Sequence, residues 1–529
     1  MMTVNEAINK LHNAVGKKGR LAFFGALAAG IITHMSVLTS DIPNHDGLSS
    51  MYFDQNMITS GRWFLGSACG ISSYYSLPWL IGILAILYIS MAAMAVRVIL
   101  NINNPVLIVL SSVILAVFPG LASNFAYVFT MDGYMLGMLL CVLSVFAVEK
   151  SDKYGWIIGG VLLAFGMGCY QSYICIAMLL CLFKIVSVFI RENNTKSSLT
   201  KSLNYIAMGG LGVFLYYILL KVLLKIQGKE LDTYQGINGM SEGNGIGFIG
   251  TVKLMYKDFV QFTFGKVFVA NVFCAVCLGL LLLCAIISLF FIAKEKKLFR
   301  RPLFYVAAAL ILIALPCIMN AILVISANVT YHVLMRYQWA FLIICMIAVV
   351  DRICAETEMK KTGLFVGSKL FDSISSATGW IAVVSLVVVS LSYIITDNIS
   401  YSNLHKKYEK TYSYCLRLAD RIEQTPGYYE GIPVAMVGVV GNDSYPLTDI
   451  TGDVTGGLLG INGDYLLYKS ENYGDFFKHY LGITFNMVSS DEVINFYDEP
   501  FYAEMESFPG ETSVVLHDGI IYVKTENIR

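Results

Sequence analysis

The sequence predicts a polytopic α-helical membrane protein carrying a small C-terminal α+β domain, and three observations predict it. Of 529 residues, 56% are hydrophobic and only 14% are charged, where a soluble chain carries about 25% charged residues. Mean hydropathy is +0.65. Eleven stretches approach the roughly 20 apolar residues that a helix needs to cross a bilayer core, and the composition turns polar after the last of them. The 37 basic and 37 acidic residues balance, so no net field draws in polyanions and a nucleic-acid partner is excluded. A soluble enzyme and a disordered hub are excluded with it.

The expected spans are residues 21–40, 77–97, 105–120, 132–148, 154–172, 173–190, 204–225, 269–293, 303–325, 337–351 and 377–396. The first follows Lys10, Lys17, Lys18 and Arg20 without a small-residue cleavage site, so it reads as a retained helix rather than a signal peptide. Lysine and arginine set the orientation, because cytoplasmic loops collect them. With the N-terminus in the cytoplasm, the inner segments hold nineteen such residues. The outer loops hold six, namely Arg62, Lys229, Lys253, Lys257, Lys266 and Arg336. This predicts a membrane domain over 1–396 with outer loops 41–76 and 226–268, and an extracytoplasmic domain over 397–529.

Within that tail, residues 403–424 have helical periodicity and a charged face, and residues 433–440 (PVAMVGVV) read as a buried strand. Ser490 ahead of Asp491 and Glu492 reads as a helix cap. Asp518-Gly519 between two β-rich arms reads as a two-residue hairpin turn. Most of the twelve cysteines sit in apolar runs and none has metal-ligand spacing. Only Cys69 and Cys415 are expected near an outer compartment.

Charge is expensive inside a bilayer, so the positions of polar groups are informative. The loop after the first span reads Ser40-Asp41-Ile42-Pro43-Asn44-His45-Asp46-Gly47, followed by LSSMYFDQNMITSGRWF. Residues 48–60 read as a surface helix that Asp46 would cap. Asp132, Tyr170-Gln171 and Arg336 recur at the outer ends of later spans, which suggests a polar cavity open to the outside. The bland alternative for each arginine is snorkelling to the headgroups. The segment TVKLMYKDFVQFTFGKVF reads as an interfacial helix, its Lys253 and Lys257 touching anionic lipid, or more sharply as a gate over a lipid-substrate groove. His34 and Lys184 are the clear mid-span charges, fewer than a transporter usually needs, and no Walker A loop is present.

These residues together resemble the bacterial glucosyltransferase type II family, membrane enzymes that decorate O-antigen and related cell-envelope glycans. The resemblance spans nearly the whole chain and is carried by NHDG, Gly61-Arg62-Trp63, Tyr170-Gln171, Arg336, PVAMVG and FPGETSVVLHDGIIYVK. It implies a C-type glycosyltransferase fold in a bacterial cell membrane. It also implies a hexose, glucose above all, moved from a polyprenyl-phosphate carrier to an extracytoplasmic polysaccharide. The family's acidic pair is written Asp-Asp, whereas Asp41 and Asp46 are separated here.

Such a transfer needs a carboxylate to deprotonate the acceptor hydroxyl and a cation to hold the leaving phosphate, for which the planar arginine fork is suited. Asp46 is therefore expected as base, with Asp41 as the alternative. Arg336 and Arg62 are expected on the donor phosphate, and Asp132, Tyr170, Gln171 and His45 on sugar hydroxyls. A divalent cation between Asp41 and Asp46 is the one cofactor considered. The alternatives are a surface-polysaccharide polymerase and a lipid or sugar transporter.

Overall fold

The computed structural model describes the chain except residues 1–2, 51–54, 71–76, 192–194, 233–246, 326–330, 362–368, 438–465, 468 and 526–529. The N-terminal region comprises α1 (Val4–Leu38), α2 (His45–Ser50), α3 (Leu65–Ala68), α4 (Pro78–Leu100), α5 (Pro105–Val117) and α6 (Pro119–Phe125). Next come α7 (Met131–Lys150), α8 (Gly155–Cys169), α9 (Ile174–Arg191), α10 (Thr195–Gln227), α11 (Gly247–Thr263) and α12 (Lys266–Val269). The last are α13 (Val272–Glu295), α14 (Pro302–Met319), α15 (Ile322–Ile325), α16 (Gln338–Lys361) and α17 (Lys369–Glu423).

Local sequence explains where these helices start and stop. Proline opens α4, α5, α6 and α14, where its missing N–H is not needed. The Asn104 side chain caps α5 by accepting from the Val106 and Leu107 amides. Asn101 ends α4 in the left-handed region, at φ +57°. Pro119 cannot continue α5, so α5 and α6 meet at a 43° bend.

Among the described residues eight helices are long and apolar enough to cross a membrane, or nine with the α5–α6 pair as one broken span. Two of the eleven expected spans fall on shorter apolar helices, Gly155–Cys169 and Phe304–Met319. The second breaks at the buried Asn320 before α15. The chain is thus a mostly helical protein of polytopic membrane type. The helices pack closely through small residues; a Cβ added to Gly166 of α8 would lie 2.5 Å from the Cys141 sulfur of α7.

The tail forms a four-stranded sheet from β1 (Pro433–Val437), β2 (Asn486–Met487), β3 (Val514–His517) and β4 (Ile520–Lys524), in the order β2-β1-β4-β3. Strand β1 runs parallel to both neighbours, while β3 and β4 form an antiparallel hairpin. Its turn is Asp518-Gly519, both at positive φ (+47° and +77°), as that two-residue connection requires. The boundary expected at residue 396 falls inside α17, which continues into the tail and supplies Leu418 and Ile422 to its core. Leu48 of α2 is buried in that same core. Ser489 rather than Ser490 caps the helix Ser490–Val493; Ser490 instead donates to Glu471.

Candidate active site

The loop that follows α1 is clamped between the bundle and the tail. Asn44 is fully buried, and its Oδ1 accepts from the Gly47 amide at 2.9 Å. The cap of α2 is therefore Asn44, and Asp46 is left exposed in the helix's first turn. The tail helix Ser470–Phe476 and the turn Val128–Thr130 both pack against α2. The surface helix expected over 48–60 is not continuous. Met57 instead bridges Arg62 across a tight turn, with Ile58–Ser60 as a short 3-10 helix. The side chain of His45 lies outside the described residues.

Gly61 makes that turn possible. Its φ is +76°, and an added Cβ would run into the Gln171 amide and lie 2.8 Å from the Tyr216 hydroxyl. Gln171 Nε2 donates to the Ser60 carbonyl at 2.8 Å, and Tyr216 donates to the Gly61 carbonyl at 3.0 Å. The Phe64 amide donates to the Gly168 carbonyl at 2.8 Å. Three helices thus hold the backbone on both sides of Arg62.

The Arg62 side chain lies over two tyrosines. Its guanidinium is 4.9 Å from the centre of the Tyr170 ring, and Nη1 donates to the Tyr134 hydroxyl at 3.0 Å. Tyr134 and Tyr170 are themselves 4.9 Å apart, ring to ring. Arg62 acts electrostatically on the Tyr134 hydroxyl, and Asp46 does so more weakly. Behind them Tyr173 donates to Asn124 Oδ1 at 3.2 Å. Asn124 in turn donates to the Leu334 carbonyl at 3.3 Å, connecting this corner to the backbone ahead of α16.

Arg336 has different surroundings. It is 8% exposed and makes a two-pronged pair with Asp258 of α11, at 2.5 and 2.8 Å. Two of its nitrogens also donate to the Tyr331 carbonyl, and the guanidinium lies 3.8 Å from the Tyr331 ring centre. Asp258 belongs to the segment read as an interfacial helix, which does form α11 and buries Thr251, Met255 and Phe262.

The remaining expected residues scatter. Asp132 is 2% exposed and accepts from the Gly133 amide at 2.8 Å. It lies against the Cys69 thiol, within the packing of α3 on α7. Gln171 is committed to the Gly61 turn. Asp41 faces the tail: its carbonyl accepts from the Tyr480 hydroxyl at 3.4 Å, and its carboxylate acts on Tyr408. Asp41 and Asp46 thus look toward different groups, and among the described residues no three His, Cys, Asp or Glu side chains gather as metal ligands.

His34 bridges the Tyr401 hydroxyl (2.7 Å) and the Ala116 carbonyl (2.8 Å), as a satisfied core histidine does. Lys184 pairs with Glu149 at 2.7 Å. Residues that sequence reasoning passed over are Tyr134, Tyr216 and Asp258. Tyr134 stands two positions from Asp132, and Asp258 follows Lys257 directly. Both lay in stretches already singled out.

A family model described as glucosyl transferase GtrII matches residues 35–350. That range takes in the NHDG loop, the Arg62 turn, Tyr134, Tyr170 and Arg336. No curated protein and no solved structure matches.

Proposed function

The chain belongs to the glucosyl transferase GtrII family, and from that premise we propose that it moves a hexose, glucose by family, from a polyprenyl-phosphate carrier to an acceptor glycan. Transfer occurs at the bundle end that carries the tail, and the lysine and arginine bias makes that end extracytoplasmic in a bacterial cell membrane. The observation that carries the reading is Arg62, its guanidinium set over the Tyr170 ring and donating to the Tyr134 hydroxyl, with Asp46 exposed in the first turn of α2 and acting at longer range on that hydroxyl. A general base and a phosphate-holding cation are the two groups this reaction requires.

In this reading Asp46 takes the proton of the acceptor hydroxyl as that oxygen bonds to the sugar's anomeric carbon. The bond from that carbon to the phosphate oxygen breaks, and the phosphate leaves with the electron pair. Arg62 receives the developing charge. Tyr134 and Tyr170 fix the plane of its fork, so little orientation is left to gain during the reaction. We assign the phosphate to Arg62, whose guanidinium Tyr134 and Tyr170 orient; the Arg336 fork holds Asp258. Of the expected sugar contacts, Tyr170 is buried beneath Arg62, and Asp132 and Gln171 are engaged elsewhere.

A lipid-linked donor is supported by an apolar groove of about 860 Å³ between α9 and α10. One wall runs from Ile174 to Ile185, about 17 Å at 1.5 Å per residue, and the other from Tyr217 to Tyr205. Gly209 and Gly210 leave the second wall open, with nothing within 4 Å of an added Cβ. The groove begins beside Gln171 and Tyr216, the residues that hold the Arg62 turn. A carrier with its phosphate at Arg62 therefore has a path for its chain along the bundle.

The test is the sugar composition of the surface polysaccharide in wild type, a deletion strain, and the deletion carrying Asp46→Asn. The expected result is loss of one side-chain hexose in both altered strains with the backbone intact, the variant's transfer rate falling about 10²–10⁴-fold. Unchanged hexose with Asp46→Asn would remove Asp46 from the chemistry. A shortened backbone would identify a polymerase, and an unchanged polysaccharide in the deletion would leave a transporter.

A further inference from the structure

Leu48 stands two positions after Asp46 in α2 and is 1% exposed, and it shares its apolar core with Leu418 and Phe476 of the tail. The tail sheet carries a core on each face, because side chains alternate along a strand. Val434 of β1 and Ile521 of β4 line the core that takes Leu48, whereas Ala435 and Tyr522 line the other, together with Met505. Leu48 thus enters the face of the sheet that packs on α17.

A second contact joins the same loop to the tail. The Asp41 carbonyl accepts from the Tyr480 hydroxyl at 3.4 Å, so contacts with the tail bracket Asp46 in the chain. Leu48 and Asp46 lie about 200° apart around the helix axis, and their side chains leave α2 in nearly opposite directions. With Leu48 in the tail core, Asp46 is turned out of it and exposed, and Tyr134 of α7 is among the groups it acts on. A Cβ added to Gly47, between the two, would lie 2.9 Å from the Pro43 Cβ, so α2 has little room to roll. The tail sheet lies beyond the residues 35–350 that the family model matches, and the reaction assigned above gives it no part.

We propose that the tail positions the base: Leu48, anchored in the tail core, is a positioning residue that holds Asp46 where the acceptor hydroxyl is deprotonated. This rests on Asp46 being the base. A helix of six residues is marginal in water on its own, so a carboxylate exposed on it has no fixed place without an anchor. Burial of Leu48 fixes that place before the acceptor arrives, and the ordering is not left to the reaction. The tail is then a working part of the transferase.

The experiment measures kcat and KM for a polyprenyl-phosphate sugar with purified full-length variants. Leu48→Ala is expected to lower kcat about 10²-fold, as a misplacement of about 1 Å does. The donor KM should not change, because Arg62 and the α9–α10 groove are untouched. Leu48→Met keeps the apolar volume and should keep the rate. Leu48→Ala added to Asp46→Asn should cost nothing further, because no base is left to position. Met505→Ala opens a cavity on the opposite face of the sheet, and it should lower the thermal unfolding midpoint while leaving kcat alone. Should Leu48→Ala fail to fold, Leu48→Val carries the same comparison with a smaller cavity. Wild-type kcat in Leu48→Ala beside a slow Asp46→Asn would overturn the proposal alone. So would losses from the two substitutions that multiply, or a Met505→Ala as slow as Leu48→Ala. Full activity of Asp46→Asn would overturn the base assignment itself, and the positioning role with it.

Discussion

Two arginines stand at the same end of this molecule, and their surroundings differ in kind. The Arg336 fork is closed by the Asp258 carboxylate, a backbone carbonyl and two rings. Arg62 rests on two tyrosine rings and donates to a tyrosine hydroxyl, with a carboxylate acting on that same hydroxyl. A phosphate arriving at Arg336 must displace a charged, two-pronged partner and leave Asp258 behind. At Arg62 a hydroxyl and two rings set the plane of the fork. The difference teaches that an arginine near a membrane surface is not a phosphate site by position alone. What occupies its fork matters as well, and at Arg336 the occupant locks α11 to the segment ahead of α16.

The largest expected effect breaks the lock. Arg336→Ala leaves the Asp258 carboxylate, only 16% exposed, without its partner, and stripping one side of a buried pair costs about 3–5 kcal/mol. Replacing both, as Arg336→Met with Asp258→Leu, removes the charges together and should recover most of that stability. Thermal unfolding of the two variants in detergent gives the comparison. Sugar transfer by the double variant then sharpens it. Activity near wild type fits a lock, and a well-folded but inactive double variant would move the donor phosphate to Arg336.

The next effect falls on rate rather than stability. Arg62→Gln removes the cation while keeping a polar side chain in the turn, and transfer should drop about 10²–10³-fold, as loss of a transition-state donor does. Arg62→Lys keeps the charge but loses the flat fork over Tyr170, so it should fall between the two. Turnover of a polyprenyl-phosphate sugar by purified variants measures this. If Arg62→Gln keeps full activity while the Arg336 and Asp258 double variant is dead, the assignment of the two arginines is reversed.

The same contrast explains what could be read from sequence. Eight spans were legible because each is a local run of apolar residues, and the hairpin because Asp518-Gly519 specifies its own turn. The Arg62 corner was half legible. The motif drew attention to Arg62, Tyr170 and Asp46, but the partner Tyr134 becomes visible only when α7 and α8 pack. The Arg336 lock was not legible, since Asp258 is 78 residues away and pattern alone gives no reason to choose it over the neighbouring lysines. The helix expected over 48–60 failed for a local reason. Gly61 adopts a positive φ, and Met57 pairs with Arg62, which turns the chain where periodicity alone would have continued it. Hydropathy changes at residue 396 while helical propensity does not, so α17 runs through that boundary into the tail.

The smallest effect extends the comparison to carboxylates. Asp258 is held by a guanidinium within the bundle, whereas Glu471, exposed on the tail, is held by the amide and hydroxyl of Ser490. Partial burial pushes the Glu471 carboxyl up, but the hydrogen bonds from Ser490 outweigh it and bring the carboxyl below the ordinary glutamate range. A carboxyl lowered by folding adds stability above its unfolded value, near pH 4.3, and that contribution fades as pH falls through the lower folded value. Amide exchange over residues 470–493 in the full-length protein should therefore lose protection below about pH 4.3 relative to Glu471→Gln at the same pH. The glutamine variant keeps a hydrogen-bonding group but cannot titrate, so it also cancels the intrinsic pH dependence of exchange. Parallel curves for the two proteins would mean that the Ser490 contact contributes nothing to holding this part of the tail. Its apolar core, with Leu48 inserted from α2, would then account for the docking of the tail over the Asp46 loop.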